Sequence, residues 1–528
     1  MLTKKIITLF SICTLTAFST VKAQFDSLYY SASGENFLQS KNAALLSGIN
    51  ISSISNAELK AEGFQGDFKN FSDADKTFSA KIKAESFYRF NEKVSSYGKI
   101  EYESFAGKNM TGAAFLDPEN SPFNIIEQAD TNAGNKRRET YSIIGGLSVK
   151  TWKKLSLGAK FNYSTANNAK RKDLRCKNSL MDLTASFGIS YDFGGIKLGG
   201  AYIYRRRNED IRFSVKGTSD KIYNSIISYG CFFGLREEFG EDGFTNKSKD
   251  LPLFDSYHGG ELHVLINITD NLQWFNELEI FSRSGRYGEK SQYTVELTQH
   301  ESNITALKGS LFFKRNRLSQ SLNYALTEEK LYNYSNIYNF ETFEGGLTNY
   351  IYYDKIKTAG KNPQNISANY SALYFFEDNV LSFKTGVNFS RRNSYAVKYP
   401  FWRKQDIKTQ EFFVEIRHEN SFLNGRLSKL LCLDIKKGSG KPYEDGYSEK
   451  PAEGFIKPAA QNDFLMQEYE YLCKPHFTIS PELKYTKKIF SDKLFGYIAA
   501  RYAFTTAKNT NFLDSKRHFA EIRTGVIF

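Results

Sequence analysis

The sequence predicts an all-β protein: one transmembrane, antiparallel up-and-down β-barrel of about 18 strands, within a range of roughly 14 to 20. First, apolar and polar residues alternate in stretches of roughly 10 to 14 residues, the length that a tilted strand needs to cross a bilayer. Second, mean hydropathy is -0.48 although 15% of the residues are aromatic. A barrel can be polar on average because its strands alternate lipid-facing and lumen-facing side chains. Third, the alternation continues to the last residue, Phe528.

The N-terminus carries the features of an export signal. Two lysines precede an apolar stretch at 6–18, and residues 21–23 present the small side chains that signal peptidase recognises. We therefore predict a signal peptide over 1–23 and a mature chain that starts at Gln24. No later stretch reaches the roughly 20 apolar residues of a transmembrane helix, which excludes a helical membrane protein.

The segment 24–56 shows no transmembrane alternation and precedes a barrel predicted over 57–528. It contains a run of small and polar residues, Ser40-Lys41-Asn42-Ala43-Ala44. This order resembles the start of fatty-acid-transporter-like barrels, where an Asn-Pro-Ala stretch belongs to a small lumenal hatch. Here Ala43 follows Asn42 directly and the proline is absent. The resemblance implies a small lumenal plug, and an ordinary periplasmic tail is the alternative.

The stretch from Phe78 to Phe90 is predicted to form the first clear hairpin with the strand that begins at Val94. Its even positions are mostly apolar and its odd positions carry charges, so one face suits lipid and the other suits water. If Phe90 faces Val94, opposite charges meet across the two strands. The resulting lumen-facing pairs are Glu85 with Lys99, Lys83 with Glu101, and Lys81 with Glu103.

A second hairpin is predicted where Gly194-Gly195 turns the chain, because two glycines suit a two-residue turn with positive φ angles. Its register sets Asp192 against Lys197 on the lumen side. Comparable turns are predicted near Glu92, Trp152, Asp270, Asn316, Asp378, Asn424 and Ser491. With both termini in the periplasm, these eight short turns imply about 18 strands. Longer polar segments are predicted to be extracellular loops, at 105–138, 164–178, 206–258, 284–302, 329–364, 393–407 and 436–469.

The final strand carries the most specific local signal. Val526 and Phe528 lie on its apolar face and resemble the C-terminal signal read by the barrel assembly machinery, which is therefore an expected partner. Glu521 and Arg523 lie on the opposite face and are predicted to face the lumen.

Four cysteines follow the predicted cleavage site, and an exported chain meets an oxidising compartment. Cys432 and Cys473 flank one long polar segment on adjacent predicted strands, which makes them the favoured disulfide pair. Cys176 with Cys231 is the other pairing considered. The spacing matches no metal site.

No catalytic or cofactor motif is present: neither a Gly-x-Ser-x-Gly elbow, nor an HExxH pair, nor a phosphate-binding glycine loop. We therefore expect no enzyme and no cofactor, and the scattered histidines are interpreted as rim, loop or lumen residues. His263 is predicted to face the lumen. A Ser-His dyad on neighbouring strands would escape such a motif search, so a surface enzyme stays a third alternative.

The formal charge of +13 would suggest nucleic acid in a soluble protein, but an exported chain meets other anions. The expected partner is outer-membrane lipid, including the phosphates of lipopolysaccharide, and not nucleic acid. Basic clusters at Lys170-Arg171-Lys172, Arg205-Arg206-Arg207 and Arg391-Arg392 have two interpretations. In the first, they form a ring that binds phosphates or directs anions toward the lumen. In the second, they only solvate the ends of strands, and this interpretation is favoured.

The Ala-Gln cleavage site, the aromatic-rich strands and the terminal Phe528 together resemble an uncharacterised outer-membrane β-barrel family of Bacteroidota, some of whose members lie near TonB-dependent receptors. The resemblance implies the cell outer membrane, with a TonB-dependent receptor or a surface lipoprotein as a further partner. A TonB-dependent receptor itself is disfavoured, because no separate plug domain precedes the first strand.

The polar, charge-paired lumen face predicts a channel or passive transporter for small solutes, accessory to a larger uptake system. The alternative is a closed barrel whose long surface loops, above all 206–258 and 436–469, bind a protein, a lipoprotein or a glycan.

Overall fold

The computed structural model describes residues 32–127, 133–216, 222–239, 245, 251–291, 294–343, 348–376, 379–490 and 494–528. Within these ranges, 18 strands form one closed antiparallel sheet, and the last strand pairs with the first. The predicted barrel and its strand number are confirmed. The predicted signal peptide over 1–23, the start at Gln24 and the turn positions Asp378 and Ser491 lie outside the described residues.

The barrel strands follow one another around the wall in chain order, except where cap strands intervene in the numbering. They are β1 (Ser53–Gln65), β2 (Lys76–Arg89), β3 (Val94–Met110), β5 (Gly134–Lys150), β6 (Leu155–Lys170), β7 (Arg175–Asp192), β8 (Ile196–Ser214), β11 (Leu253–Thr269), β12 (Leu272–Tyr287), β13 (Thr298–Arg315), β14 (Leu318–Thr342), β15 (Thr348–Phe375), β16 (Asn379–Lys398), β17 (Phe401–Phe422), β18 (Gly425–Tyr447), β20 (His476–Lys488), β21 (Phe495–Ala507) and β22 (Lys516–Ile527).

The alternating sequence gives the wall two faces, as β7 illustrates. Phe187 points outward and is 68% exposed, whereas Ser186 and Ser190 point inward and are both 3% exposed. The short turns lie at the same end of the barrel as the first residue of β1 and the last residue of β22, which we call the terminal end. At this end Gly194 adopts a φ of 96°, the positive value that its two-glycine turn requires. The opposite end is called the loop end.

Several segments predicted to be loops are strands instead. The predicted loop 329–364 is mostly the upper part of β14 and β15, which have 25 and 28 residues. The predicted loop 393–407 contracts to a turn at Tyr399 and Pro400. These predictions were wrong because alternation requires an apolar environment on one face. A strand that rises into water on both faces keeps its ladder hydrogen bonds but loses the alternation.

A second, smaller structure, which we call the cap, fills the loop end. It comprises residues 111–127, which include β4 (Asn124–Glu127), together with β9 (Tyr223–Gly230), β10 (Phe233–Phe239), β19 (Ala459–Ala460) and helix α2 (Asn462–Cys473). Its strands form a four-stranded sheet in the order β19-β10-β9-β4. The cap packs against the wall through two buried apolar clusters. The segments predicted to be extracellular loops at 105–138, 206–258 and 436–469 thus supply the cap, and their remaining described parts extend strands of the wall.

The N-terminal segment lies inside the barrel near the terminal end. It contains helix α1 (Ala32–Gln39) and a 3-10 helix (Ala43–Gly48) before β1 begins at Ser53, rather than at residue 57. We call residues 36–51 the plug. Its apolar side chains Phe37, Leu45, Leu46, Ile49 and Ile51 form one cluster with Phe87, Tyr97, Leu265 and Phe275 of the wall. Of the two alternatives for 24–56, the described part therefore occupies the lumen.

The four cysteines of the described chain are all free, so the expected Cys432–Cys473 disulfide is not formed, and neither is Cys176–Cys231. Cys473 lies beside Gly438, whose added Cβ would come within 2.9 Å of its sulfur. Cys432 precedes Gly438 by six residues on β18. Because a strand rises about 3.3 Å per residue, the two positions are about 20 Å apart. The long segment between the two cysteines is not a loop that brings them together, because its first part continues β18.

Candidate functional site in the barrel lumen

The predicted register of the first hairpin is observed: Glu85 stands opposite Lys99, Lys83 opposite Glu101, and Lys81 opposite Glu103. The charged atoms, however, pair mostly across a diagonal or within one strand rather than with the residue directly opposite. Lys81 and Lys99 both approach Glu101 with Nζ to Oε distances of 2.9 Å, while the direct pair Lys81–Glu103 is 3.6 Å apart. Lys83 turns to Glu85 on its own strand at 3.6 Å. The result is a continuous ladder of alternating charge on this part of the lumen wall.

The other predicted lumen residues occupy the same face. Asp192 stands opposite Lys197 across the turn, although its carboxylate accepts a hydrogen bond from the Gly194 amide at 2.8 Å. Arg523 links the carboxylates of Glu521 at 2.8 Å and Glu482 at 2.6 Å.

The predicted assembly signal lies at the strand that closes the barrel. Val526 stands opposite Ala57 of β1, where the last strand meets the first. Phe528 exchanges backbone hydrogen bonds with Ser55 at 2.8 and 3.0 Å.

Asn42 of the plug is held in a socket formed by two glycines of the wall, Gly158 and Gly188. A Cβ added at Gly188 would lie 2.0 Å from the Asn42 side-chain oxygen, and one at Gly158 would lie 2.1 Å from the Ala44 nitrogen. Only glycine allows so close an approach of two backbones. The Asn42 amide donates to the carbonyls of Ile189 at 3.2 Å and Gly200 at 3.0 Å, and its Oδ1 accepts from the Ala44 amide at 3.0 Å, which caps the 3-10 helix.

Beside Asn42, three wall residues form a buried hydrogen-bonded row. Ser190 Oγ lies 3.2 Å from His263 Nε2, and His263 Nδ1 lies 2.9 Å from Glu261 Oε1. The other oxygen of Glu261 accepts from the Ser40 hydroxyl of the plug at 3.4 Å. The order Ser-His-Glu is that of a nucleophilic triad. Ser190 is nevertheless 3% exposed, and the His263 ring fills the space above Gly199, so no substrate carbonyl can approach the hydroxyl in this arrangement.

Further charges surround the plug. Lys41 pairs with Glu279 at 2.5 Å, and Lys308 lies between Glu277 and Glu279. Lys160 donates to the plug carbonyls of Leu38 at 2.8 Å and Ser40 at 2.7 Å. The plug is thus seated by an apolar cluster on one flank and by charged groups on the other.

Polar cavities flank the plug on both sides. One, of about 480 Å³, lies between the plug and β2 to β7, where Lys41, Lys99 and Lys160 are among its lining residues. The other, of about 390 Å³, lies between α1 and β12 to β17. Its lining includes Asn36 and Gln39 of α1 and, on the wall, Asn323, Asn369 and Lys384. The plug therefore divides the wetted lumen rather than filling it completely.

The family and fold comparisons complete this description. A model for a family of unknown function, DUF6850, matches residues 43–528. The chain belongs to this family. No curated protein matches the sequence. Among solved structures, the ferric preacinetobactin receptor BauA from Acinetobacter baumannii is 9% identical, with 89% of this chain and 80% of that chain covered and a TM-score of 0.41. The copper transporter OprC is 8% identical, with 90% and 80% covered and a TM-score of 0.42.

The residues matched to the DUF6850 family begin at Ala43, next to Asn42, and include the wall and the cap. In this family member, the basic clusters are divided by strand alternation. Arg207 and Lys170 face inward and contact Glu209 and Glu127, while Arg206 faces outward over the Phe254 ring. Arg207 and Lys170 therefore pair with buried carboxylates of the wall and the cap. This role differs from both interpretations of the basic clusters.

In this DUF6850 chain, the path of residues 111–127 across the loop end is fixed by wall side chains that donate to its carbonyls. Lys136 donates to Ala113 at 2.7 Å and Asn178 to Ala114 at 2.8 Å. On the far side, Arg283 donates to Asn120 at 3.2 Å and Asn333 to Pro122 at 2.6 Å. The segment thus reaches from β5 to β14 across the loop end.

Among the described residues of this family member, no group of three or more His, Cys, Asp or Glu is arranged to hold a metal ion. No helix of that part is long and apolar enough to cross a membrane. Sequence reasoning singled out Asn42 and His263 but missed their partners Gly158, Gly188 and Ser190. One feature of the sequence could have indicated these partners. Two neighbouring strands each carry a glycine on their inward face, where a polar residue is otherwise expected.

Proposed function

We propose that this chain is an outer-membrane transporter for small hydrophilic or amphipathic solutes, and that its lumen is gated by the plug. The observation that carries the proposal is the seating of a short N-terminal segment in a glycine socket, with polar cavities of about 480 and 390 Å³ beside it. A segment that served only to stabilise the wall would not need wetted space on both sides.

The outward face supports the proposed location. Ile82, Ile100, Phe187, Leu262 and Ile522 are all more than half exposed on the outside of the wall. Exposed apolar side chains on this scale are unfavourable in water, because each buried Leu, Ile or Phe contributes about 1.5–3 kcal/mol. A bilayer around the wall would remove that cost. With this location we propose three kinds of partner. They are outer-membrane lipid with its lipopolysaccharide phosphates, the barrel assembly machinery, and a neighbouring TonB-dependent receptor or lipoprotein.

The sequence led us to expect a passive channel, but a plug seated in the lumen and a cap across the loop end favour a gated one. The plug packs six buried apolar residues, including Ala43, against the wall. Its displacement therefore costs more free energy than the loss of one hydrogen bond. The cap adds a second closure at the loop end. We propose that solute passage requires displacement of the plug and that residues 111–127 restrict passage further at the loop end.

Solute flux in liposomes tests the proposal. Liposomes would contain the mature chain, a variant that lacks residues 24–51, or that deletion combined with a short Gly-Ser replacement of 111–127. We expect little flux for the mature chain and increasing flux of small sugars and amino acids for the two variants. Retained heat-dependent gel mobility would confirm that each barrel is intact. An intact double variant without flux would contradict the proposed transport.

A second candidate function, binding of a protein partner, is favoured by the upper part of β14 and β15. Beyond Asn336 and before Ala359 neither strand pairs with a third strand within the described residues, and the two form a two-stranded ribbon. Phe340, Tyr353 and Ile356 on this ribbon are 61%, 65% and 57% exposed. The ribbon begins about ten residues above the apolar positions Leu322 and Leu326, too far for a lipid band of about 25 Å.

In-cell photocrosslinking would distinguish this second function. A photoreactive residue at Tyr353 should give one defined crosslinked species, whereas the same residue at Phe187 on the lower wall should not. Replacement of Phe340 and Ile356 by serine should remove that species while the flux of the plug-deleted barrel is retained. Equal crosslinking from both positions would count against a specific partner.

We also propose that the chain has no enzymatic activity and no cofactor. The proposal is supported by the absence of catalytic motifs from the sequence and by the burial of Ser190. Labelling with a fluorophosphonate probe provides the check, because a reactive Ser190 in the plug-deleted variant would refute the proposal.

A further inference from the structure

A small, partly open cavity separates the cap from β15, β16 and β17. Its volume is about 80 Å³, enough for several waters or one small oxyanion. On the wall side it is lined by Lys361, Ser394 and Gln405. These three residues lie in one row across adjacent strands, since Lys361 pairs with Ser394 and Ser394 with Gln405.

The hydrogen bonds around Gln405 leave a donor without a partner. Arg392 Nη2 donates to Gln405 Oε1 at 3.1 Å, which fixes the orientation of the amide. Gln405 Nε2 then has no hydrogen-bond partner among the described residues, although the side chain is only 4% exposed. A buried amide nitrogen without an acceptor costs about 1–3 kcal/mol, so an acceptor is expected in the cavity.

The charges around the cavity favour a negatively charged acceptor. Lys361 and Arg392 contribute two positive charges. The Glu468 carboxylate of α2 accepts from Arg392 Nη1 at 3.1 Å and from Nη2 at 2.6 Å, and so balances the charge of Arg392. Lys361 donates only to the backbone carbonyl of Glu119 in the cap. Glu119 is the other acidic residue of the lining, but it is exposed and forms no ion pair with Lys361 or Arg392 among the described residues. The Lys361 ammonium is therefore the positive charge of the lining that has no carboxylate in direct contact.

We propose that this cavity binds a small oxyanion, such as inorganic phosphate or a carboxylate group, between Lys361, Gln405 and the hydroxyls of the lining. The ligand would join the wall to the cap, because the other lining residues include Ser121 and Asn124 of segment 111–127 and Cys231 of the β9–β10 turn. Binding there goes beyond the proposed gating and does not depend on it. It would stabilise the closed loop end.

Two matched variants test the site in the full mature chain in detergent. In Gln405→Glu the new carboxylate still accepts from Arg392 but places a negative oxygen where the free amide donor was. In Lys361→Gln the unbalanced ammonium is lost. Lys357→Gln is the control, because Lys357 lies on the same strand outside the cavity, over the Tyr332 ring.

Inorganic phosphate, acetate and chloride would be added at equal ionic strength, and the unfolding midpoint and the phosphorus NMR linewidth would be measured. Phosphate should raise the midpoint by a few degrees and broaden the signal for the wild type and Lys357→Gln, but not for the other two variants. A comparable rise with acetate would identify a carboxylate site of broader range. An unchanged phosphate response in Gln405→Glu, or an equal response to chloride in the wild type, would overturn the proposal. The NMR comparison at room temperature remains decisive if a variant unfolds early.

Discussion

At the scale of single residues, Asn42 shows how one polar side chain can define a closed state. It reaches through the inward face of the wall to the carbonyls of Ile189 and Gly200, which belong to the ladder between β7 and β8. The wall permits this contact only because Gly158 and Gly188 carry no side chain. The same close approach makes the socket sensitive to substitution from either side.

Replacing Asn42 by alanine should loosen the plug. The loss of two hydrogen bonds to buried carbonyls is expected to cost about 1–3 kcal/mol, equivalent to roughly a 5- to 150-fold larger open population. The measurement is the alkylation rate of a cysteine placed at Ala44, in a background without the four native cysteines. Unchanged alkylation would show that the apolar cluster alone holds the plug.

Gly188→Leu should unseat the plug from the wall side, because even the first added carbon would lie 2.0 Å from the Asn42 oxygen. Gly195→Leu provides the control, since a Cβ there has nothing within 4 Å. The same reporter cysteine at Ala44 should react faster in the first variant and at the wild-type rate in the second. Equal rates in both would mean that Asn42 can leave its socket without moving the plug.

The cysteines permit a separate test of the corrected disulfide prediction. Burial raises the pKa of the Cys231 thiol to about 12 and that of Cys473 to about 11. Since the thiolate is the reactive form, alkylation of both in the folded chain should be slow at neutral pH and should accelerate as pH rises toward those values. After denaturation without reductant, all four thiols should react. Only two reactive thiols would indicate that a disulfide does form.

At the scale of elements, the cap and the plug are held at the two ends of the barrel by different physical means. The cap is largely an apolar core, in which Phe115, Phe123, Ile125 and Ile227 pack against the wall. It also depends on a buried charge: Glu127 contacts Lys170 and lies 3.6 Å from Lys136. Because two ammonium groups share this one carboxylate, the cap is more sensitive to its loss than to the loss of an exposed charge.

Glu127→Gln should release the cap from β5 and β6. Removing one partner of a buried ion pair is expected to destabilise its surroundings by about 3–5 kcal/mol. Limited proteolysis should then cut within 111–127 while the barrel remains intact. Glu139→Gln, which alters an exposed carboxylate on the outer face of β5, should leave the cleavage pattern unchanged. Resistance of Glu127→Gln to the protease would contradict this role.

At the scale of the whole molecule, the sequence predicted the wall better than its contents. Alternation and turn residues identified the barrel, its strand number and the register that sets Lys81 against Glu103, because lipid on one face and water on the other impose a period of two. The cap escaped prediction because its core forms between segments far apart in the chain, such as Phe123 and Tyr287. Short apolar runs in a polar loop carry no period that identifies such packing.

The candidate site was predictable only in part for the same reason. Asn42 stood out through its small polar neighbours and a family resemblance, and His263 through its inward position. Their contacts with Gly188 and Ser190 require the three-dimensional path of the plug, which no local pattern specifies. The opposite error occurred at 329–364, where strands wet on both faces resemble loops in sequence.

Planar-bilayer conductance tests the central claim most directly, namely that the plug closes a barrel built for passage. The mature chain, the deletion of 24–51 and the same deletion with 111–127 shortened would be compared at one salt concentration. The account predicts negligible conductance for the mature chain and stable, stepwise conductance once the closures are removed. Steady conductance of the unmodified chain, or none from an intact barrel that lacks both closures, would contradict it.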